Sequence, residues 1–131
     1  MSALAALVSA AALAAGAGQP APAAYAGLGT WIDVYDGRAW VTPDSTAAAI
    51  RARGVRTLYL QTSNSNRSAD LVRPAGLGRL VDAAHARGLR VVAWYLPTLV
   101  RPGRDLRRAL AAIRFRTQTE GSFDSFALDI E

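Results

Sequence analysis

Short apolar runs alternate with amphipathic segments along the chain from Gly27 onward. The runs are rich in β-branched and aromatic residues and are bounded by Gly and Pro, which predicts β-strands. The segments between them repeat apolar residues every three or four positions, which predicts helices that stop at glycines such as Gly54 and Gly88. The pattern predicts strands at 29–35, 55–62, 89–97 and 123–131, and helices at 42–54, 77–88 and 104–116.

The junctions between helix and strand repeat along the chain. The sequence ARGVR at 52–56 recurs as ARGLR at 86–90. This period suits one βα unit, and alternating strands and helices favour a parallel sheet with crossover helices. In the third predicted helix, Leu106, Leu110 and Ile113 lie on one apolar stripe. The predicted fold class is therefore α/β, with a parallel βα repeat.

The loops that follow the strands are longer and more polar than the turns that follow the helices. They span 36–42, 63–76 and 98–103. Loops of this kind at the carboxyl ends of the strands carry the active sites of (β/α)8 barrels, and a complete barrel needs roughly 250 residues. Residues 27–131 supply three and a half βα units, so we expect them to be the N-terminal half of a TIM-type barrel domain and the chain to be a fragment of it.

The first part of the chain has the composition of a secretion signal. No charged residue precedes Asp33, and the apolar run 4–18 is followed by Ala-Tyr-Ala at 24–26, which fits cleavage before Gly27. A membrane anchor needs about 20 apolar residues without interruption by Gly and Pro. We therefore expect residues 1–26 to be a signal peptide, the mature protein to be secreted, and no stable membrane insertion after cleavage.

Charge and residue usage exclude several other functions. The net charge is +5, but the fifteen basic residues are all Arg and are scattered one or two at a time, so no nucleic-acid partner is expected. No glycine-rich phosphate loop follows the first strand, and the one histidine, His85, lies on a helix away from the strand ends. The chain has no cysteine. We expect no cofactor, no metal ion and no Ser-His-Asp chemistry.

Acidic and aromatic side chains collect at the predicted carboxyl ends of the strands. Asp129 and Glu131 share one face of the last strand, and Asp33 shares a face of the first strand with Trp31 and Tyr35. Glycoside hydrolysis uses a carboxylic acid as proton donor and a second carboxylate, while aromatic rings stack on sugar rings. The predicted catalytic residues are Glu131, Asp129 and Asp33, and the predicted substrate-binding residues are Tyr35, Asp36, Trp40, Tyr59, Gln61 and Tyr95.

Purely structural roles also remain open for the same residues. The Asp129 and Glu131 pair could bind arginines, or could hold a structural divalent ion together with Asp33. Most of the aromatic residues are expected in the core, whereas Trp40 lies in a polar loop and is the better candidate for stacking on a sugar.

Two motifs resemble known glycoside hydrolases. The sequence FDSFALDIE at 123–131 resembles the fourth-strand signature of chitinase-type family 18 enzymes, with Ala127 in place of its middle aspartate. Ile32-Asp33-Val34, the run AAHARGLRVVAWYLP at 83–97 and ALDIE at 127–131 are similar to family 25 muramidases. This second resemblance implies that Glu131 is the general acid and that Asp33 and Asp129 are supporting carboxylates.

The sequence thus predicts a secreted glycoside hydrolase that cleaves O-glycosidic bonds of a cell-wall or extracellular polysaccharide. The alternative is a non-catalytic carbohydrate-binding barrel that has lost the chemistry, which the missing acid at Ala127 favours.

Overall fold

A computed structural model of the protein describes residues 23–130, in which strands and helices alternate. Residues 1–22 of the predicted signal peptide and the predicted acid Glu131 lie outside the described residues. The elements are a 3₁₀ turn at Ala23–Tyr25, β1 at Gly29–Ile32, α1 at Gly37–Val41, α2 at Pro43–Ala52, β2 at Thr57–Asn64, α3 at Pro74–His85, β3 at Arg90–Leu96, α4 at Pro102–Ile113 and β4 at Ser125–Leu128.

The four strands form one sheet in the order β1-β2-β3-β4, and each neighbouring pair is parallel. This confirms the predicted α/β class, because each parallel connection returns through a helix. The register shifts once, between Gln61 and Ser63 of β2, so that Thr62 is an extra residue opposite β3. The side chain of Thr62 links this bulge to β3, because its hydroxyl donates to the carbonyl of Trp94 at 3.2 Å.

One face of the sheet is covered by α2 and α3 and forms the hydrophobic core. Leu58 and Leu60 of β2 and Val91 of β3 pack there against Leu77 and Leu80 of α3, and all five side chains are fully buried. Alternation along the strands places these residues on the same side, as expected for parallel strands under crossover helices.

Proline marks the start of the three longer helices. Pro43, Pro74 and Pro102 each occupy the first helical position, where the missing N–H is not needed and the fixed φ angle suits the helix. The predicted helices at 77–88 and 104–116 therefore begin and end two or three residues too late. Between residues 23 and 130, no helix combines the length and the apolarity needed to cross a lipid bilayer.

The first strand is shorter than predicted because a turn begins at Asp33. The carboxylate of Asp33 accepts a hydrogen bond from the backbone N–H of Tyr35 at 2.6 Å, and its own N–H donates to the Asp36 carboxylate at 3.1 Å. Asp side chains that bond the backbone two residues ahead are typical of turns. The turn leads directly into α1, a helix where the sequence predicted a polar loop at 36–42.

Helix α4 presents a polar side to the rest of the domain, and its apolar stripe lies largely exposed. Leu106 and Ile113 are 61% and 54% exposed, whereas Asp105, Arg108 and Ala112 are buried. The buried side of α4 must therefore satisfy two ionisable groups through hydrogen bonds.

Candidate functional site

The face of the sheet that α2 and α3 do not cover carries a cluster of aromatic rings. We call it the open face and define it by Trp31, Tyr59 and Trp94. The rings of Trp31 and Tyr59 stack with centroids 4.2 Å apart and an interplanar angle of 18°, and Trp94 meets Trp31 edge-on at 5.5 Å. Trp31 is nevertheless 56% exposed. Register and alternation place four further residues on this face: Thr57, Gln61, Val92 and Ala127.

The amino end of the open face is occupied by the 3₁₀ turn, whose residues belong to the predicted signal peptide and would be absent after cleavage before Gly27. The hydroxyl of Thr57 donates to the carbonyl of Ala24 at 2.9 Å, and the guanidinium of Arg90 donates to the carbonyl of Ala26. Tyr25 reaches across the sheet, where its hydroxyl lies 2.8 Å from that of Ser125 in β4. The exposed ring of Trp31 is level with Tyr59 and Val92 in the register, so it lies between this turn and the carboxyl end of the sheet.

Two of the predicted catalytic carboxylates lie at this carboxyl end. Asp33 follows the last residue of β1, and Asp129 follows the last residue of β4. The backbone N–H of Asp129 donates to the carbonyl of Tyr95 at 2.9 Å, which continues the pairing of β4 with β3. Alternation then places Asp129 on the same face as Ala127 and Trp94.

The two carboxylates are not neighbours in the sheet. β1 and β4 form its opposite edges, so three interstrand spacings, about 14 Å along the sheet, separate Asp33 from Asp129. Paired carboxylates of glycosidases lie about 5–10 Å apart. Asp33 also already serves its own turn, as described above. Asp33 therefore lies at the rim of the open face, beside β1. Of the two acids predicted at the end of the fourth strand, Asp129 is the one that the structure describes.

Tyr35 and Asp36 lie exposed on the rim beside β1. The amide of Asn66 donates to the Tyr35 hydroxyl at 3.0 Å, and the guanidinium of Arg67 lies 4.8 Å from the centre of its ring. Both residues belong to the loop after β2. The rim therefore combines an aromatic ring, an amide, a cation and a carboxylate, all of which can contact a polyhydroxylated ligand.

The structure corrects three predicted binding residues. Trp40 lies in α1 and is buried in the core, where its indole N–H donates to the carbonyl of Asp33 at 3.1 Å, so it is not an exposed loop residue. Gln61 lies on the open face but is buried, and its side-chain carbonyl accepts from the N–H of Val34 at 2.9 Å. Tyr95 lies on the opposite face, because register pairs Gln61 with Trp94 rather than with Tyr95.

Tyr95 belongs to a buried polar network that the sequence patterns did not reveal. Its hydroxyl donates to the Asp105 carboxylate at 2.6 Å and accepts from Arg108 at 3.2 Å. The second oxygen of Asp105 accepts from the N–H of Leu99 at 3.1 Å. The only sequence signal is the spacing of Asp105 and Arg108, three positions apart on the side of α4 opposite its apolar stripe.

This network makes a pH-dependent contribution to stability. Burial, and then the hydrogen bond to Asp105, raise the pKa of Tyr95 above its ordinary value. The folded protein thus keeps the proton to higher pH than the unfolded chain. The contribution of Tyr95 is complete below pH of about 10 and is lost as pH rises through the folded pKa.

We expect Tyr95→Phe to lower the free energy of unfolding by about 1–3 kcal/mol at neutral pH, because the buried Asp105 loses a donor. The difference between wild type and variant should shrink above pH of about 10. Urea denaturation of both proteins at pH 8 and at pH 11 measures this. A difference that stays constant with pH would contradict the assignment.

The amino end of the sheet carries a separate hydrogen-bonded pair of side chains. His85, the last residue of α3, lies 2.9 Å from the carboxylate of Asp124, which also accepts from the N–H of Val91 at 2.7 Å. Asp124 thus links the start of β4 to β3 at the amino end of the sheet. His85 lies at the same end, away from the carboxyl ends of the strands, as its position on a helix led us to expect. Within residues 23–130, no three His, Asp or Glu side chains gather as a possible metal site.

Comparisons of the chain with protein-family models, with curated proteins and with solved structures find no match. The resemblance to glycoside hydrolases therefore rests on the motifs of the sequence. What the structure adds is the position of those motifs on one parallel sheet.

Proposed function

We propose that this domain binds carbohydrate on the open face and acts as a secreted glycoside hydrolase on a cell-wall or extracellular polysaccharide. In this proposal Glu131 is the general acid, Asp129 is its neighbouring carboxylate, and Asp33 supports the rim. The substrate is a polysaccharide, and the reaction is hydrolysis of an O-glycosidic bond.

The exposed, stacked Trp31 is the observation that carries the proposal. A tryptophan that is more than half exposed while one face of its ring rests on Tyr59 offers the other face to a ligand. Flat aromatic surfaces attract the C–H faces of sugar rings, and Trp31 lies on the edge strand β1, two residues before Asp33.

The barrel is part of the same proposal. Four consecutive parallel strands in sequence order are the arrangement of one half of a (β/α)8 barrel. Both edge strands carry exposed apolar residues, Trp31 at β1 and Leu128 at β4, and Leu106 of α4 is exposed nearby. Additional βα units would cover Leu128 and Leu106 and would make the open face, with Trp31 on it, the lining of a barrel interior.

A binding domain without catalysis is the second candidate, and one position favours it. Ala127 pairs with Trp94 in the register of β3 and β4, so it lies on the open face where the family 18 signature has a carboxylate. A domain with this alanine keeps the aromatic surface and lacks that acid.

We expect Trp31→Ala to weaken binding of the recognised polysaccharide by about tenfold to a hundredfold, because the ring loses its contact area with the sugar. Trp31→Phe keeps a flat aromatic surface and should retain most of the affinity. Calorimetry with oligosaccharides cut from peptidoglycan, chitin, cellulose and xylan measures both variants.

Val41→Ala is the control, since Val41 is an exposed apolar residue of α1 rather than of the open face. Equal binding by wild type and Trp31→Ala, with both proteins folded by circular dichroism, would remove the open face as the binding surface. Binding without release of reducing ends by wild type would favour the second candidate.

A further inference from the structure

The loop that joins β2 to α3, residues 65–73, is held from one side by helix α4. Arg108 is 1% exposed and donates to the carbonyl of Asn64 at 2.8 Å and to the carbonyl of Arg67. Its Nε lies 3.7 Å from one oxygen of Asp70, and Arg107 donates to the other oxygen at 2.7 Å. Helix α4 thus contacts this part of the chain at three points, which are Asn64 at the end of β2 and Arg67 and Asp70 within the loop.

The same loop supports the rim of the open face from its other side. Asn66 donates to the hydroxyl of Tyr35, and Arg67 lies over the ring of Tyr35. Tyr35 in turn donates its backbone N–H to Asp33. A continuous series of contacts therefore runs from α4 through the loop to the rim beside β1.

We propose that Arg108 is a positioning residue that sets the place of Tyr35 at the rim through the 65–73 loop. Arg108 does not contact Tyr35 or Asp33; it fixes the carbonyl of Arg67, and the side chain of Arg67 covers the Tyr35 ring. Loss of the Arg108 contacts should also weaken ligand binding at the rim while stacking on Trp31 persists. This further consequence rests on the proposed function.

The planar guanidinium is the group that this geometry requires. Two carbonyls, the hydroxyl of Tyr95 and a carboxylate surround it, and its five N–H donors lie in one plane with fixed directions. A lysine at position 108 keeps the positive charge near Asp70 and Asp105 but presents a single ammonium. Its three donors diverge from one nitrogen, so they cannot reproduce the directions in which two separate guanidinium nitrogens bond the carbonyls of Asn64 and Arg67.

Hydrogen exchange and tyrosine NMR of the full chain test the proposal without any ligand. Arg108→Lys should speed amide exchange in residues 65–72 by about tenfold to a hundredfold, while exchange in residues 91–94 of β3 stays unchanged. The ring resonances of Tyr35, assigned with Tyr35→Phe, should move towards their positions in Asn66→Ala. Asp70→Asn should produce a smaller change of the same kind, and Arg114→Lys, at an exposed position beyond the end of α4, should produce none.

Unchanged exchange in the loop of folded Arg108→Lys would overturn the proposal. Faster exchange with Tyr35 resonances at their wild-type positions would also overturn it, because the loop would then be anchored without reaching the rim. Should Arg108→Lys not fold, Asp70→Asn decides the matter by the same two readouts. Neither amide exchange nor the Tyr35 resonances require a ligand. A protein that binds no sugar can therefore still confirm or refute the role of Arg108.

Discussion

Replacing Glu131 with Gln is expected to lower the rate of polysaccharide hydrolysis by about 10²–10⁴-fold while sugar binding persists. The amide keeps the shape and the hydrogen-bonding capacity of the side chain but has no proton to donate to the leaving oxygen. Asp129→Asn should also slow hydrolysis, because the proposed mechanism uses a second carboxylate. The measurement is release of reducing ends, with affinity determined separately by calorimetry.

Glu120→Gln is the matched control for this change. Glu120 is an exposed acid in the connection between α4 and β4, before the amino end of that strand, so its loss should leave turnover unchanged. Wild-type turnover in Glu131→Gln would exclude Glu131 as the general acid. Equal losses in both variants would point to a general effect of charge instead.

Arg108→Met is expected to lower the free energy of unfolding by about 3–5 kcal/mol, the range seen when one partner of a buried ionic network is removed. Methionine fills much of the space, but the carbonyls of Asn64 and Arg67 lose their donor. The buried carboxylate of Asp105 also loses a nearby positive charge, because Arg108 and Asp105 are both hydrogen-bonded to the hydroxyl of Tyr95. Chemical denaturation monitored by tryptophan fluorescence provides the value.

Arg114→Met serves as the control, since Arg114 is an exposed arginine just beyond the end of the same helix. Its substitution should change stability by no more than about 0.5 kcal/mol. A loss below about 1 kcal/mol for Arg108→Met would mean that the network adds little beyond packing.

Hydrophobic periodicity predicted the type and order of most elements but not their ends. The sheet order and the placement of α2, α3 and α4 follow from alternating patterns of period two and period three to four. The predicted start of α2 lies within one residue of Pro43, whereas the predicted starts of α3 and α4 lie three and two residues after Pro74 and Pro102, which favour the first helical position. Applied consistently, the same rule places all three starts.

Predicting which face a side chain occupies required the register between strands. Alternation within β3 separates Trp94 from Tyr95, but only pairing with β2 shows that Trp94 shares the face of Gln61. The assignment of Tyr95 to the binding face failed for this reason. Trp31 and Tyr59, in contrast, pair directly in the register of β1 and β2 and lie stacked on one face.

Buried charge was the least predictable feature of the chain. The sequence shows an apolar stripe on α4, and the protein buries Asp105 and Arg108 instead. Local patterns contain no information about the carbonyls and the tyrosine hydroxyl that satisfy these groups, since their partners lie on β2, on β3 and in the two following loops.

The indole N–H resonances of the three tryptophans provide the most direct test of carbohydrate binding on the open face. Trp31 and Trp94 lie on that face, whereas Trp40 is buried on the helix side. Titration of ¹⁵N-labelled protein with oligosaccharides should shift the Trp31 and Trp94 signals in a saturable manner, and the Trp40 signal much less. A largest shift at Trp40, or no shift at Trp31 with any oligosaccharide of the panel, would contradict the proposed site.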